Sequence, residues 1–295
     1  MDHPNNRKIR VTRLDAAILA ALAGVIGYVV YKAATGLTYH WHWEVIPQFL
    51  LYFDESAQSL RPGLLTRGLI TTIRLSFWAG IPALIIGTVM GLFRVSPSLF
   101  KRQAASAYVG LIRNMPPLVL IFVFYFFIGD QIMSLLRMDD AIHGLTGTAG
   151  EIAAWLFGPV NRLPRFLSAL ITIALFEAAY IAEIVRAGIE SVDKGQWEAA
   201  ASTGMSRFRT MVHIILPQAM QRMLPALAGQ FISTIKDSAI VSVISIEELT
   251  FQAQQLMTTT YRSFEIWTTV FVMYFLLTFL CSLAVRKLEL AMRRH

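Results

Sequence analysis

The chain has 295 residues, of which 55% are apolar and only 15% charged. Its mean hydropathy is +0.54, a composition that excludes an ordinary soluble domain. The net charge of +7 follows the placement of Lys and Arg around membrane spans and attraction to anionic lipid, so it requires no nucleic-acid partner.

Six apolar stretches, 14–31, 64–93, 105–129, 166–185, 224–246 and 266–285, are each long enough to cross about 30 Å of hydrocarbon as a helix. They predict an all-α polytopic membrane protein with about six transmembrane helices and both termini on one side. Residues 1–63 read as a basic segment, a first helix and an external linker, and residues 64–295 as the transmembrane domain. With the N-terminus inside, 16 of the 26 Lys and Arg residues fall in inside segments, among them Arg7, Lys8, Arg10, Arg102, Arg209, Arg293 and Arg294. Seven fall outside, including Arg137, and Arg74, Arg113 and Lys236 lie within spans. This asymmetry predicts cytoplasmic termini.

The first stretch follows a basic start and is followed by Lys32-Ala33-Ala34, features that a cleaved signal peptide shares. Its length favours a retained helix, and a mature chain starting near Ala34 is the alternative. Tyr39-His40-Trp41-His42-Trp43 reads as an interfacial aromatic belt rather than a metal site. In the second stretch Arg74 sits with Thr71, Thr72 and Ser76 in the outer half, where it can snorkel outward.

The third stretch is interrupted by Arg113-Asn114-Met115-Pro116-Pro117, where the prolines remove backbone donors and leave carbonyls in need of protein or water partners. Residues 130–165 form an external connection broken by glycines and prolines, with a helical turn or two over 151–157. It is a candidate docking surface for a soluble partner. In the fourth stretch Glu177 lies near mid-depth with Tyr180, Ile181 and Ile184 on the same face, a costly position for an ionisable group unless it is paired or wet. Its partner could be Lys236. Glu183 and Arg186, three apart, make a structural pair.

Between the fourth and fifth stretches, residues 196–217 are too polar to span. Gly195 is placed to close the preceding helix, Gly204 to cap a first short helix, Ser206 to start a second, and Pro217 to follow it. Phe208, Met211, Val212 and Ile215 form the apolar stripe of that second helix. In the fifth stretch Gln230, Thr234, Asp237, Ser238, Ser242 and Ser245 recur on one broad face, while Lys236 is rotated by about 100° from Asp237. The sixth stretch is apolar all round and predicts lipid contact. Cys281 within it has no partner for an intrachain disulfide.

Glu198-Ala199-Ala200, then Gly204, Ile214 and Leu216-Pro217, at these spacings, resemble the EAA loop of the membrane-spanning subunits of bacterial ATP-binding-cassette importers. The flanks 179–189, Gly195-Gln196 and 216–219 resemble the polar amino acid branch, and the likeness extends from about Leu64 to the C-terminus. The resemblance implies a five-helix core with one added N-terminal helix, in the bacterial cytoplasmic membrane. It implies three kinds of partner: a pair of ATPase subunits that bind the ATP, a periplasmic or extracellular amino acid binding protein, and a second permease chain, identical or different. Gln196, Trp197, Glu198, Ala199, Ala200, Gly204, Ile214, Leu216 and Pro217 become the expected ATPase-coupling residues. Arg113, Glu177, Tyr180, Thr234, Lys236, Asp237 and Ser238 become the expected substrate pathway. The chain departs from the family pattern at three places: Asn114-Met115 in place of Gly-Thr, Ser238-Ala239 in place of Thr-Ser, and Glu177 in place of a small residue.

No phosphate-binding G-x-x-x-x-G-K-[ST] motif occurs, and no Ser-His-Asp or zinc pattern stands out. The chain reads as a non-enzyme with no cofactor or metal of its own. The competing reading is an ion-coupled secondary amino acid carrier using Glu177, Asp237 and Lys236, although the inverted repeats common in such carriers are not found.

Overall fold

The computed structural model describes residues 12–36, 39–135, 138, 142, 144 and 146–292. The basic residues 7, 8, 10, 137, 293 and 294 counted for orientation lie outside them. The chain divides into two compact units, residues 1–43 and 44–295.

In the first unit, α1 (Arg13–Gly36) has 24 residues, about 36 Å at 1.5 Å per residue. Thr12 and Asp15 cap it reciprocally: the Thr12 N–H donates to Asp15 Oδ2 at 2.8 Å and the Asp15 N–H to Thr12 Oγ1 at 3.2 Å. Trp41 stacks on Trp43 at 5.6 Å, with Tyr39 edge-on to Trp41 at 5.2 Å.

The second unit opens with α2 (Ile46–Leu50) and a hairpin, β1 (Leu51–Asp54) paired antiparallel with β2 (Ser59–Pro62). Part of the expected linker is therefore folded. Ile46 is buried with Leu65, Leu249 and Ile266, and the Gly63 N–H donates to Leu50 O at 2.8 Å. A Cβ on Gly63 would stand 2.3 Å from Phe49 O, so only glycine fits there.

The helices that follow are α3 (Leu64–Arg94), α4 (Leu99–Asn114), α5 (Pro117–Val123), α6 (Asp130–Leu135), α7 (Gly147–Phe157) and α8 (Leu163–Glu190). After them come α9 (Lys194–Ser202), α10 (Arg207–Thr210), α11 (Leu216–Asp237), α12 (Leu249–Thr260) and α13 (Ser263–Met292). Among the described residues five stretches are long and apolar enough to cross a bilayer: Leu64–Arg94, Pro117–Leu135, Val160–Glu190, Arg207–Ile244 and Ser263–Lys287. The architecture is all-α apart from the hairpin. The outward residues of α13, including Phe271, Phe275, Leu276, Phe279 and Leu280, are exposed, as suits a helix solvated by hydrocarbon.

Two boundaries differ from the sequence reading. The third stretch is not one helix from 105 to 129: α4 ends at Asn114, and the long apolar helix begins at Pro117 and reaches Leu135 through a wide turn at Phe124–Gly129. Proline forces the residue before it out of the helical region, and Met115 is extended (φ −102°, ψ 148°). The fifth helix starts earlier than Leu224, because Pro217 does not end the loop's second helix but lies in the first turn of α11. A wide turn at Met211–Ile215 precedes it, with the Leu216 N–H reaching back to Met211 O. That extra residue loosens the carbonyl ladder where the proline ring would otherwise clash.

The core is the packing of α3 on α8. Gly68, Thr72, Ser76, Ala79, Ala83, Gly87 and Gly91 make one buried stripe of small residues on α3. A Cβ at Gly87 would come within 2.6 Å of Ile181, and one at Gly91 within 2.6 Å of Val185. Close backbone approach of this kind replaces the hydrophobic drive that is weak between helices in lipid. At the far end of the bundle Glu248 caps α12. Its carboxylate accepts from the N–H groups of Thr250 and Phe251 at 2.9 and 2.8 Å and from the Tyr274 hydroxyl at 2.8 Å. Burial pushes its carboxyl above the ordinary glutamate range, although these bonds pull the other way.

Candidate functional site

The polar loop joining α8 to α11 is built on an apolar base. Ile189 and Val192 from the end of α8, with Ile215, Ala219 and Met223, form a buried cluster, and Trp197, Met211, Ile214 and Leu216 pack against it. Over this base lies α9, started by Asp193, whose Oδ1 accepts the Gly195 N–H at 2.6 Å. Gly195 therefore sits inside α9 rather than closing α8. The end of α9 follows from the sequence as expected. Gly204 is left-handed (φ +77°), its N–H donates to Ala201 O at 3.0 Å, and the Met205 N–H donates to Ala200 O at 3.2 Å. This double bond pattern satisfies carbonyls that the helix end would leave open. Ser206 then caps α10, accepting from the Arg209 N–H.

Within α9 the motif residues separate into two faces. Gln196, Glu198 and Ala199 are exposed, whereas Ala200 is 3% exposed and faces the base. Gln218 bridges the two ends of the loop, its Nε2 donating to Gln196 Oε1 at 3.2 Å and Ile214 O at 3.0 Å. The Arg222 guanidinium donates to Ser191 O. The loop is thus fixed to both α8 and α11. The expected apolar stripe holds only in part: Ile215 is buried, but Phe208 is 76% exposed and Val212 is exposed.

Inside the span, Glu177 is fully buried. Gln230 Nε2 donates to its Oε2 at 2.7 Å, and its Oε1 has no hydrogen-bond partner among the described residues. The partner is Gln230 rather than Lys236, which is exposed. Thr234 and Asp237 of α11 also face Glu177, and Tyr180 lies within electrostatic reach of Glu177, Asp237 and Arg113. Asp237 is in turn within electrostatic reach of the exposed Lys236, so the two carboxyls meet at one point with a lysine on the outer side of the pair. Ser238 is buried beside this face, its hydroxyl turned back to Ile235 O at 2.8 Å. The polar stripe does not run on as one α-helical face, because the backbone tightens over Ser238–Ile244 and turns left-handed at Ser245.

Arg113 belongs to a different group. Its Nη1 lies 3.4 Å from Glu183 Oε2, and its guanidinium sits 5.8 Å from the centre of the Tyr180 ring. Glu183 also pairs with Arg94 and with Arg186, which in turn pairs with Glu190. The sequence shows the Glu183–Arg186 pair because it is local. Arg94 and Arg113 come from other helices, so the rest of the network is invisible at the level of spacing. Among the described residues no three His, Cys, Asp or Glu side chains converge where a metal ion could sit.

Residues 83–294 match the family of binding-protein-dependent transport system inner membrane components. The chain is 32% identical over 243 residues to the glutamine transport system permease protein GlnP of Escherichia coli (strain K12), covering 82% of this chain and 99% of that one. It is 34% identical over 226 residues to the probable glutamine ABC transporter permease protein GlnP of Bacillus subtilis (strain 168), covering 75% and 90%. Among solved structures, an amino acid ABC transporter crystallised with histidines aligns with a TM-score of 0.61 and 34% identity over 79% of this chain and 94% of that one. The inward-facing MetNI methionine transporter shares the fold at a TM-score of 0.58 with 18% identity, over 77% and 95%. With a family match over residues 83–294 and relatives that it spans almost completely, the chain belongs to the binding-protein-dependent transport system inner membrane components.

Proposed function

We propose that this chain is the permease subunit of an ATP-driven importer of polar amino acids in the bacterial cytoplasmic membrane, with both termini and the 196–217 loop in the cytoplasm. ATP is bound and hydrolysed by a separate pair of ATPase subunits, a soluble binding protein delivers the cargo from outside, and a second permease chain completes the pathway. The observation that carries this reading is the two-faced α9: its buried side is locked to α8 and α11, and its exposed side offers Glu198 and Ala199 to a partner. A force on that exposed side is transmitted to both helices as a rigid body.

The cargo reading rests on the named relatives together with the chemistry of the buried acidic face. An α-amino acid carries an ammonium group, and Glu177 Oε1 with Asp237 offers it counter-charge where water is scarce. Tyr180 and Thr234 add hydroxyl groups beside it. The departure from a small residue at 177 makes Glu177 the determinant of cargo choice.

Reconstitution tests this reading. Vesicles holding the permease, its ATPase and its binding protein are expected to accumulate a polar amino acid only when ATP is supplied on the loop side. Uptake by the permease alone, driven by an ion gradient, would establish the secondary-carrier reading instead.

A further inference from the structure

At the end of the bundle opposite the loop, a cavity of about 710 Å³ lies between α3, the turn Val160–Arg162 and the residues leading into α12. Neither the coupling loop nor the buried acidic face uses it. Arg67 and Arg74 of α3 line it together with Arg162 and Glu247, and Arg165 lines a smaller cleft that shares Arg162 and Glu247. Arg162 is ion-paired with Glu247, so those two charges cancel. Arg67 donates to neutral groups, Pro62 O at 2.8 Å and the Tyr52 hydroxyl at 2.9 Å. Arg74 forms no ion pair or hydrogen bond with any described residue. A Cβ added to Gly158 would lie 3.6 Å from its Nη1, which places the guanidinium against the segment leading to Arg162. Arg67 and Arg74 therefore bring two positive charges that no described carboxylate balances.

The same face of α3 continues below them as an apolar surface. At 100° per residue, Arg67, Ile70, Arg74, Phe77 and Ile81 fall within a sector of about 80°. The buried seam of Gly68, Thr72, Ala79 and Ala83 lies on the opposite side of the helix. Ile70, Phe77 and Ile81 are exposed. Depth orders these residues. With 31 residues, α3 is about 46 Å long against about 30 Å of hydrocarbon, so about 8 Å of it stands clear at each end. Arg67 then sits at headgroup level, and Arg74 just inside the hydrocarbon edge, where its stem carries the guanidinium back toward the interface. Phe77 and Ile81 lie deeper, among acyl chains. Two unbalanced cations at the headgroup level over an exposed apolar stripe complement a molecule that is anionic at one end and hydrocarbon at the other.

We propose that this cavity and the face of α3 below it bind one anionic phospholipid, its phosphate between Arg67 and Arg74 and its acyl chains along Phe77 and Ile81. Guanidinium groups match phosphate oxygens bidentately, and an arginine at the hydrocarbon edge is costly until it is paired or wet. A phosphatidylglycerol headgroup supplies the missing negative charge. An ethanolamine headgroup carries its own ammonium into the same cavity, where the arginines repel it. A free inorganic anion would satisfy the arginines but leave Phe77 and Ile81 uncovered. With the orientation proposed above, the lipid belongs to the outer leaflet, and its binding is independent of which cargo the chain moves.

The test compares two dansyl reporters in a Cys281→Ala background of the permease–ATPase complex: Phe77→Cys below the cavity, and Phe275→Cys on the exposed face of α13 at a similar distance from its helix start. Ile73→Cys read against Phe271→Cys is a second pair should the first disturb folding. The complex is placed in phosphatidylcholine nanodiscs containing a small fraction of chain-brominated phosphatidylglycerol or phosphatidylethanolamine, and quenching is measured. Phosphatidylglycerol is expected to quench the label at 77 well beyond the one at 275, and phosphatidylethanolamine to quench both alike. Arg74→Gln should raise the fraction of phosphatidylglycerol giving half-maximal quenching at 77 by about tenfold, the loss of one charge-assisted hydrogen bond. Arg67→Gln should act in the same direction and Arg74→Lys much less. Equal quenching of both reporters by phosphatidylglycerol would overturn the proposal, leaving bulk lipid alone on this face. A label at 77 that no lipid quenches, while the one at 275 is quenched, would overturn it in favour of a second permease chain covering the face. Loss of the excess quenching on adding inorganic phosphate at constant ionic strength would overturn it in favour of a free-anion site.

Discussion

The coupling loop and the acidic face within the span hold their polar residues by opposite means. In the loop the buried side of α9 is apolar and anchors, while the exposed side is polar and free to meet a partner. On the membrane face the carboxyl of Glu177 is sealed in and half-satisfied, and the exposed polar residue, Lys236, stands away from it. Under the proposed function the contact with a partner lies on the exposed side of the loop and the contact with cargo on the buried side of the span, where an ionisable group is costly unless it is paired or wet.

The contrast within α9 is sharpest at two adjacent alanines. Ala200→Trp forces a large ring into a packed base, an overpacking cost of about 1–3 kcal/mol or more. It should unfold the loop, lower the thermal stability of the purified complex and abolish transport. Ala199→Trp places the same ring on the exposed side. Stability should be unchanged while ATPase retention and transport are lost, and equal destabilisation by both substitutions would break the division into anchor and contact.

Glu177→Gln removes charge but keeps an acceptor for Gln230. The complex should assemble, and the half-saturating concentration for cargo should rise by about tenfold, the scale of one charge-assisted bond. Unaltered uptake of every amino acid would leave Glu177 with a packing role alone. A smaller effect is expected at Gly204, where a Cβ would meet nothing within 4 Å, so the cost comes from the left-handed backbone. Gly204→Val should destabilise the loop by about 1–2 kcal/mol and Gly204→Asn by much less, read as the difference in ATPase retention between the two.

The smallest expected effect is at Glu248. Because burial raises its pKa in the folded chain, ionisation is harder when folded than when unfolded. Stability should be full below the ordinary glutamate range and decline as pH climbs through the raised value. Thermal unfolding followed by Cys281 reactivity across that range should show the decline, and Glu248→Gln should flatten it.

Much of this was legible in residue order. The long apolar runs gave the spans α3, α8 and α13, and the loop motif located α9 with its left-handed Gly204. Short-range chemistry writes itself into spacing. Three kinds of feature did not. The seam of Ala79, Ala83, Gly87 and Gly91 on α3 repeats every four residues, a visible signal that small residues in an apolar run tend to conceal. Pro217 reads as a stop because the wide turn that accommodates it depends on backbone geometry rather than residue type. The joining of Arg94 and Arg113 to Glu183, and of Gln230 to Glu177, is tertiary, and a local stripe shows which residues share a helix face but not what stands opposite.

The account stands most directly on which side of α9 touches the ATPase. Photo-crosslinking residues placed singly at 198, 199 and 200 in the assembled complex measure it. Capture of the ATPase from 198 and 199, with only intrachain products from 200, is the expected result. Capture from 200 with none from 198 or 199 would contradict it.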